Sequence, residues 1–243
     1  MQIRLKIASQ CWYMYGFFKT SVRYVMNADS AQVMEIEKLI KQYTCVTRNS
    51  LTPEIALHLI TPSSSLWTSS IENIPFKDPF WAFYWPGGQA LTRYILDNPD
   101  LVCGQRVLDV GSGCGASAIA AAMSNACTVT ANDIDPVAGR AIMLNCDLNN
   151  VSISVNTKNI IGTPDDIADC ILVGDMLYDE EFATILFNWL YMLRKKGKQI
   201  LVGDPGRLPF IKYKNKFQCL IEYPLRDDDF TPGFSQVSIW KMK

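Results

Sequence analysis

The sequence predicts an α/β fold, in which a seven-stranded sheet has five parallel strands and an antiparallel C-terminal hairpin, with an N-terminal helical extension. Three observations predict it. From residue 105 onwards, short apolar segments alternate with helical patterns, as in parallel sheets buried on both faces. After the fifth such strand, two more strands follow with no helix between them. Upstream of residue 81 the patterns are mainly helical.

Composition and charge narrow the classes of partner. The chain has 243 residues, of which 49% are hydrophobic, which is enough for one well-buried domain. Four of its 23 basic residues precede Asp29, so the remainder has 19 basic and 24 acidic residues. A body of this sign binds phosphate backbones poorly, and a protein or small-molecule partner is therefore favoured over nucleic acid.

Cysteine and histidine usage argues against a metal site. The eight cysteines include no C-x-x-C pair, and His58 is the single histidine. Zinc sites use paired ligand spacings, and a chain of this size seldom relies on a disulfide framework. We therefore expect reduced thiols, no metal and no histidine-based catalytic triad.

The first 28 residues contain Arg, Lys and many aromatics but no Asp or Glu. This composition is typical of a mitochondrial transit segment. The apolar stretch 11–18 is too short to span a bilayer. We predict a transit segment (1–28) that directs the chain to the mitochondrial matrix, a helical extension (29–80) and a cofactor-binding domain (81–243). A disordered N-terminus or a secretory h-region is the alternative.

The extension and the segment after it are predicted to contain three helices. Asp29 and Ser30 can cap a helix with apolar positions between Val33 and Ile40. Thr52-Pro53 is predicted to begin a second helix that ends near Ile60, with Pro at its first position. A third is expected to follow the segment 84–88 and to end at Asp97.

The alternating region supplies the sheet. The predicted parallel strands are Arg106–Val110, Thr128–Asn132, Ile153–Asn156, Cys170–Gly174 and Gln199–Gly203. A helix over 179–195 has acids in its first turn and bases in its last, which suits the helix dipole. The predicted hairpin strands are Phe217–Tyr223 and Val237–Met242, separated by an acidic loop at 227–229 of unassigned role.

A glycine-rich turn follows the first parallel strand in the segment 107–115. Gly111 and Gly113 let a ligand approach the backbone, although the spacing also fits the dinucleotide pattern G-x-G-x-x-A. Asp109 decides between the two. A carboxylate there would repel a pyrophosphate, whereas it would attract the ammonium and sulfonium groups of S-adenosylmethionine.

Asp133 ends the second parallel strand, 22 residues after Gly111. At this distance a carboxylate can accept hydrogen bonds from ribose hydroxyls. Asp135 is expected to cap the helix that Pro136 begins. The alternative for Asp133 is that it too serves only as a helix cap.

These segments, VLDVGSGCG and ANDIDP, resemble the seven-β-strand methyltransferases over residues 51–240. The resemblance implies a Rossmann-like sheet and S-adenosylmethionine as the cofactor. It implies that Gly115 belongs to the cofactor loop and that Trp85 lies against the cofactor. The alternative for Trp85 is a core position.

Asp175-Met176-Leu177-Tyr178 directly follows the fourth parallel strand, where open α/β sheets bind ligands. It resembles the D/E-x-x-Y/F motif of the protein lysine methyltransferases called methyltransferase family 16, and it lacks the two prolines of N/D-P-P-Y/F enzymes. The resemblance implies lysine methylation, with Asp175 attracting the ammonium and orienting the amine and Tyr178 walling the lysine channel. Alternatively, Asp175 caps the next helix and Tyr178 packs in the core.

Three further segments, YWPGGQ (84–89), GDM with YDE (174–180) and GDPGR (203–207), resemble mitochondrial members of that family. Those members act on the electron transfer flavoprotein β subunit, which the resemblance implies as the partner. Other readings stay open: a methyltransferase for a ribosomal protein, a non-catalytic Rossmann-like binding module, or a nicotinamide oxidoreductase. The number of methyl groups, the acceptor lysines and the oligomeric state are not predicted.

Overall fold

A computed structural model of the chain describes residues 30–67, 75–164, 167–225 and 233–243. Its strands are β1 (Cys45–Thr47), β2 (Leu57–Leu59), β3 (Arg106–Val110), β4 (Thr128–Asn132), β5 (Ser154–Asn156), β6 (Cys170–Gly174), β7 (Gln199–Asp204), β8 (Phe217–Pro224) and β9 (Gln236–Met242). Its helices are α1 (Ser30–Tyr43), α2 (Pro86–Asp97), α3 (Ala116–Met123), α4 (Pro136–Asn149), α5 (Glu180–Lys195) and α6 (Leu208–Ile211).

The main sheet has seven strands in the order β5-β4-β3-β6-β7-β9-β8. The first five are parallel, while β9 runs antiparallel to β7 and β8 antiparallel to β9. This confirms the predicted fold class. The parallel strands end side by side at Val110, Asn132, Gly174 and Asp204, and we call this end of the sheet the carboxyl edge. Every loop of chemical interest leaves the sheet there.

The sheet is buried on both faces because alternate residues of each strand enter different cores. Val107 and Leu172 pack with α2 and α3 on one face. Leu108 and Ile171 pack with α5 on the other. Near-continuous apolar strands are the expected result, and this pattern made their positions predictable.

The second predicted helix, from Pro53 to Ile60, is wrong. These residues form a turn and then β2, which pairs with β1 through His58 and Val46. Residues 55–60 are all buried, so no face of the segment is left for solvent, as an amphipathic helix would require. Asn145 of α4 accepts the backbone N–H of His58 at 2.7 Å, and such a long-range partner stabilises the extended backbone.

The other helices match their predictions closely. Asp179 caps α5 by accepting the N–H of Phe182 at 2.9 Å, and Asp135 caps α4 by accepting that of Val137 at 2.8 Å. The predicted transit segment lies outside the described residues, as does the acidic loop at 227–229. Within the described ranges, no helix has the length and apolarity needed to cross a membrane.

Candidate active site

A pocket opens at the carboxyl edge, between the loop after β3 and the start of α2. Two of the residues predicted to bind the cofactor, Asp109 and Trp85, lie in its wall together with Gly111 and Gly113. Its lining residues are Phe83, Tyr84, Trp85, Gly88, Asp109, Gly111, Ser112, Gly113, Cys114, Ala116, Ser117 and Gly174. Four of the predicted positions therefore converge on one cavity.

Asp109 is a buried acid in the pocket wall, with 3% of its surface exposed. The Ser112 hydroxyl donates a hydrogen bond to its carboxylate at 2.5 Å. Burial raises the pKa of Asp109 to about 7, because its charged form loses contact with water. A cation placed beside this carboxyl would favour the charged form, so the residue is suited to a positively charged ligand.

Asp133 leaves the end of β4 and meets the glycine loop after β3. Its carboxylate accepts the N–H groups of Gly113 at 2.9 Å and Asp135 at 3.0 Å. Burial raises its pKa. The residue that caps α4 is Asp135, not Asp133. The alternative that Asp133 serves only as a helix cap is therefore wrong. It does not line the pocket, but it bonds directly to a residue that does.

Gly111 and Gly115, two of the three glycines predicted to bind the cofactor, pack against different parts of the chain. Gly111 has φ +64°, and a side chain there would overlap the Met176 sulfur. The loop after β3 and the loop after β6 are therefore in direct contact. Gly115 begins α3 and is packed closely against Ile142 of α4, outside the pocket wall.

Trp85 precedes the first turn of α2 and is half-buried. Its indole N–H donates to the Phe80 carbonyl at 3.0 Å, and its ring lies 5.8 Å from that of Phe83. Trp85 lines the pocket and also packs against the apolar cluster that contains Trp81 and Phe83. That Trp85 lies against the cofactor stays a prediction.

Asp175 directly follows β6 and joins three parts of the chain. Its carboxylate accepts the N–H of Gly87 in the first turn of α2. It also accepts two bonds from Arg207, from Nε at 2.9 Å and from a terminal guanidinium nitrogen at 2.7 Å. The alternative that Asp175 caps α5 is wrong, since Asp179 does so, whereas Asp175 accepts an N–H from the first turn of α2. Its φ of 56° is unusual for a residue with a side chain.

The start of α2 also touches the end of β7. A side chain at Gly87 would overlap the carbonyl oxygen of Gly203, and one at Gly203 would overlap that of Gly87. Asp175 donates its own N–H to this Gly203 carbonyl at 2.9 Å. The three motifs 84–89, 174–180 and 203–207 thus form one junction beside the pocket.

Arg207 and Asp204 are site residues that the sequence interpretation did not assign. Asp204 accepts the N–H groups of Gly206 at 2.7 Å and Arg207 at 2.8 Å, which shapes the loop that carries Arg207. Burial, and secondly the charge of Asp175, raise the pKa of Asp204 to about 7. Its position in the sequence could have indicated Asp204 as a site residue. It ends β7 at the carboxyl edge, where Asp133 and Asp175 follow their own strands.

Tyr178 is the exposed member of the 174–180 motif, with 40% of its surface accessible to solvent. Its ring is 5.8 Å from that of Phe182 on α5. The preceding residue, Leu177, is buried, so Leu177 faces the core while Tyr178 faces outward. The alternative that Tyr178 packs in the core is wrong.

Several known proteins are similar to this chain in sequence or in fold. The family described as lysine methyltransferase matches residues 82–217. The electron transfer flavoprotein beta subunit lysine methyltransferase of Xenopus laevis is 46% identical over 84% of this chain and 85% of its own length, and that of Homo sapiens is 45% identical over 85% and 81%. The solved magnesium protoporphyrin IX methyltransferase of Synechocystis PCC 6803 with bound SAM covers 65% of this chain and 80% of its own, at a TM-score of 0.50 and 15% identity, and so supports the fold. The chain belongs to the lysine methyltransferase family.

Proposed function

We propose that this chain transfers methyl groups from S-adenosylmethionine to lysines of the electron transfer flavoprotein β subunit in the mitochondrial matrix. The observation that carries the proposal is similarity over most of the chain to enzymes named for that substrate. The composition of residues 1–28 supports the compartment.

The pocket fits a cationic, phosphate-free cofactor. Asp109 is buried and has a pKa of about 7, and its ionised form attracts the positive charge of an ammonium or a sulfonium. Asp133 keeps free acceptor capacity for ribose hydroxyls, since each carboxylate oxygen can accept more than one bond. A pyrophosphate beside Asp109 would be repelled, which disfavours a nicotinamide cofactor. S-adenosylmethionine supplies, when bound, a methyl group on a sulfonium that leaves as a neutral thioether.

The acceptor side is assigned to the loop after β6. Gly174 lines the cofactor pocket and Asp175 follows it, so the next residues stand between the pocket and the outer surface. Asp175 positions this loop against α2, and the exposed Tyr178 ring forms one wall of the lysine channel. Alignment of this kind contributes several kcal/mol to catalysis, about the magnitude that well-oriented reactants gain.

The lysine must reach the site as a neutral amine. Its pKa near 10.4 leaves only about one molecule in a few thousand neutral at pH 7. The ammonium gives one proton to solvent, and the nitrogen lone pair then forms the new bond to carbon as the bond from carbon to sulfur breaks. The products are a methylated ammonium and a neutral thioether, with one proton released for each methyl transferred.

The deciding experiment is intact-mass analysis of recombinant flavoprotein β subunit after incubation with this chain and S-adenosylmethionine. We expect an added mass of one or more methyl groups, which forms more slowly in Asp175→Asn while the cofactor still binds. Methylation of ribosomal protein L11 alone would instead favour the ribosomal reading. Cofactor binding without methylation of either protein would favour a binding module, and calorimetric binding of NAD without S-adenosylmethionine would favour an oxidoreductase.

Localisation has its own test. A fluorescent reporter fused behind residues 1–28 is expected to enter mitochondria, because the segment is basic and lacks acids. A diffuse cytosolic signal would contradict the compartment but leave the enzymatic proposal intact.

A further inference from the structure

Both carboxylate oxygens of Asp175 accept hydrogen bonds. Arg207 donates two bonds to Oδ1, and the Gly87 N–H donates to Oδ2. The Asp175 side chain is 4% exposed and that of Arg207 is 19% exposed. An incoming lysine therefore meets a neutral ion pair at this point rather than a free carboxylate.

This arrangement bears on the acceptor's protonation. A carboxylate near an ammonium favours the charged form and raises its pKa, whereas a neighbouring cation favours the neutral amine. Only the neutral amine has a lone pair with which to attack the methyl group. An unpaired Asp175 beside the lysine would hold the lysine in its unreactive state.

We propose that Arg207 is a positioning residue of the acceptor site, which neutralises Asp175 and thereby keeps the target lysine easy to deprotonate. The inference rests on the proposed lysine methylation and goes beyond it by giving this guanidinium a role in the pH dependence of turnover. It also revises the expectation that Asp175 itself attracts the lysine ammonium.

Arg207 is held for this role by its own loop. Asp204 accepts the N–H groups of Gly206 and Arg207, and Gly206 has φ +98°, so the loop turns sharply at the base of the arginine. The Phe234 ring lies 5.6 Å from the guanidinium carbon. A planar guanidinium with two bonds to one carboxylate is oriented as well as charged, unlike a lysine ammonium.

Three other ionisable groups must be considered in any pH test. Asp204, from β7, carries a pKa raised to about 7 and is influenced by Asp175. Asp109, on the cofactor side, has a pKa of about 7 as well. Glu180 of α5 pairs with Lys212 at 3.5 Å on the outer surface of the same edge.

The experiment measures kcat against pH, from about 6 to 10 to cover the lysine transition, with recombinant flavoprotein β subunit at saturating S-adenosylmethionine. In Arg207→Gln we expect the acidic limb of kcat to move to higher pH by about one unit or more, as an unmasked carboxylate within ion-pair distance dictates. At the alkaline end kcat should approach the wild-type value. The Kd for S-adenosylmethionine should be unchanged.

Matched variants separate charge from shape. Arg207→Lys keeps the charge and should leave the limb at the wild-type pH, which also tests the inference if Arg207→Gln does not fold. Asp175→Asn/Arg207→Gln removes both charges and should return the limb to its wild-type position. In an Asp204→Asn background, Arg207→Gln should still move the limb by the same amount, because Asp175 rather than Asp204 causes the shift.

The outcomes are distinct. A uniform loss of kcat at every pH in Arg207→Gln would mean a purely structural arginine and would overturn the inference. A lower KM with an unmoved limb would mean that Asp175 binds the ammonium directly, which also overturns it. Absence of methylation by the wild-type chain would instead refute the proposed function.

Discussion

At the scale of single residues, Asp133 has the most direct test. Its carboxylate accepts two backbone N–H groups and retains acceptor positions for ribose hydroxyls. Hydrogen bonds to charged groups contribute about 1.5–3 kcal/mol, so Asp133→Ala should weaken S-adenosylmethionine binding roughly 10- to 100-fold. Calorimetry checks this, with Asp147→Ala, an exposed acid of α4, as the control. Equal affinity in a folded Asp133→Ala protein would remove Asp133 from the site.

Asp109 predicts how cofactor affinity depends on pH. Its pKa of about 7 means that the free site is largely protonated below neutrality, and a cationic ligand requires the ionised form. Affinity should therefore fall as the pH drops below about 7, by up to about tenfold per unit. Asp109→Asn should bind more weakly at pH 8 and lose this dependence. Titrations at pH 6 and 8, each about one unit from that pKa, decide it, and a wild-type affinity that is the same at both would contradict it.

Tyr178 and Tyr191 are similarly exposed, at 40% and 37%, so Tyr191 can serve as a control for Tyr178. Tyr178 lies in the loop after β6, whereas Tyr191 lies on α5. Removing a channel wall should lower turnover without affecting the cofactor. We expect Tyr178→Ala to reduce kcat at least about tenfold, within the range that lost alignment costs, and Tyr191→Ala to have little effect. Steady-state kinetics with the flavoprotein subunit measures both, and similar kinetics for the two variants would exclude Tyr178 from the channel.

At the scale of elements, α2 connects the pocket to the loop after β6. Gly87 touches the backbone of β7, whereas a methyl group at Gly88 would lie 3.8 Å from Tyr84, an ordinary contact. Gly87→Ala should destabilise the protein by at least about 1–3 kcal/mol, as overpacking does. Gly88→Ala should stay within about 1 kcal/mol of wild type, since alanine favours helix. Denaturant unfolding of the ligand-free variants compares them, and equal midpoints would mean that α2 can shift away from β7.

The elements also show what local patterns can predict. The strands of the parallel sheet were predicted to within a residue or two, because burial on both faces leaves short apolar runs that few other structures produce. The run from Ile55 to Ile60 is apolar except for His58, but its length suits a helical turn or a strand equally. Asn145 and Asn149 of α4 form hydrogen bonds with its backbone. They lie 87 and 93 residues away in sequence from their partners, and these contacts have no local signature.

At the scale of the whole molecule, the two halves of the site differ in how well the sequence predicted them. The cofactor acids Asp109 and Asp133 stand at the ends of strands beside a glycine loop, and both features are local. The acceptor junction joins Asp175 to Gly87 and Arg207, which are 88 and 32 residues away. Chain order does not reveal which charges will meet at a sheet edge, so the pairing of Arg207 could be found only in three dimensions.

Buried carboxyls also give the whole chain a characteristic stability profile. Asp109 and Asp204 have folded pKa values of about 7 and ordinary values near 3.9 when unfolded. The folded state therefore binds more protons, and the stability this provides is lost as the pH rises through 7. Burial lowers the pKa of His58, so this residue makes stability rise with pH, but only below about pH 6.5.

We expect the ligand-free protein to lose on the order of 1–2 kcal/mol between about pH 6.5 and 8, or a few degrees in Tm for a chain of this size. Thermal unfolding monitored by circular dichroism at both pH values tests this. Asp109→Asn/Asp204→Asn should show a much smaller difference. A wild-type protein that gains stability over this interval would contradict the assignment of raised pKa values.

The contact between Gly87 and Gly203 has a consequence for how this sequence can change over generations. Most tight contacts tolerate a larger residue on one side when the other side shrinks. Here each position already carries the smallest residue, and any side chain meets the partner's carbonyl oxygen, which no substitution removes. Whichever of the two glycines is replaced first, the new side chain overlaps the backbone of the other position. Lineages that keep this packing of α2 are therefore confined to glycine at both sites, while the exposed surfaces around them stay free to diverge.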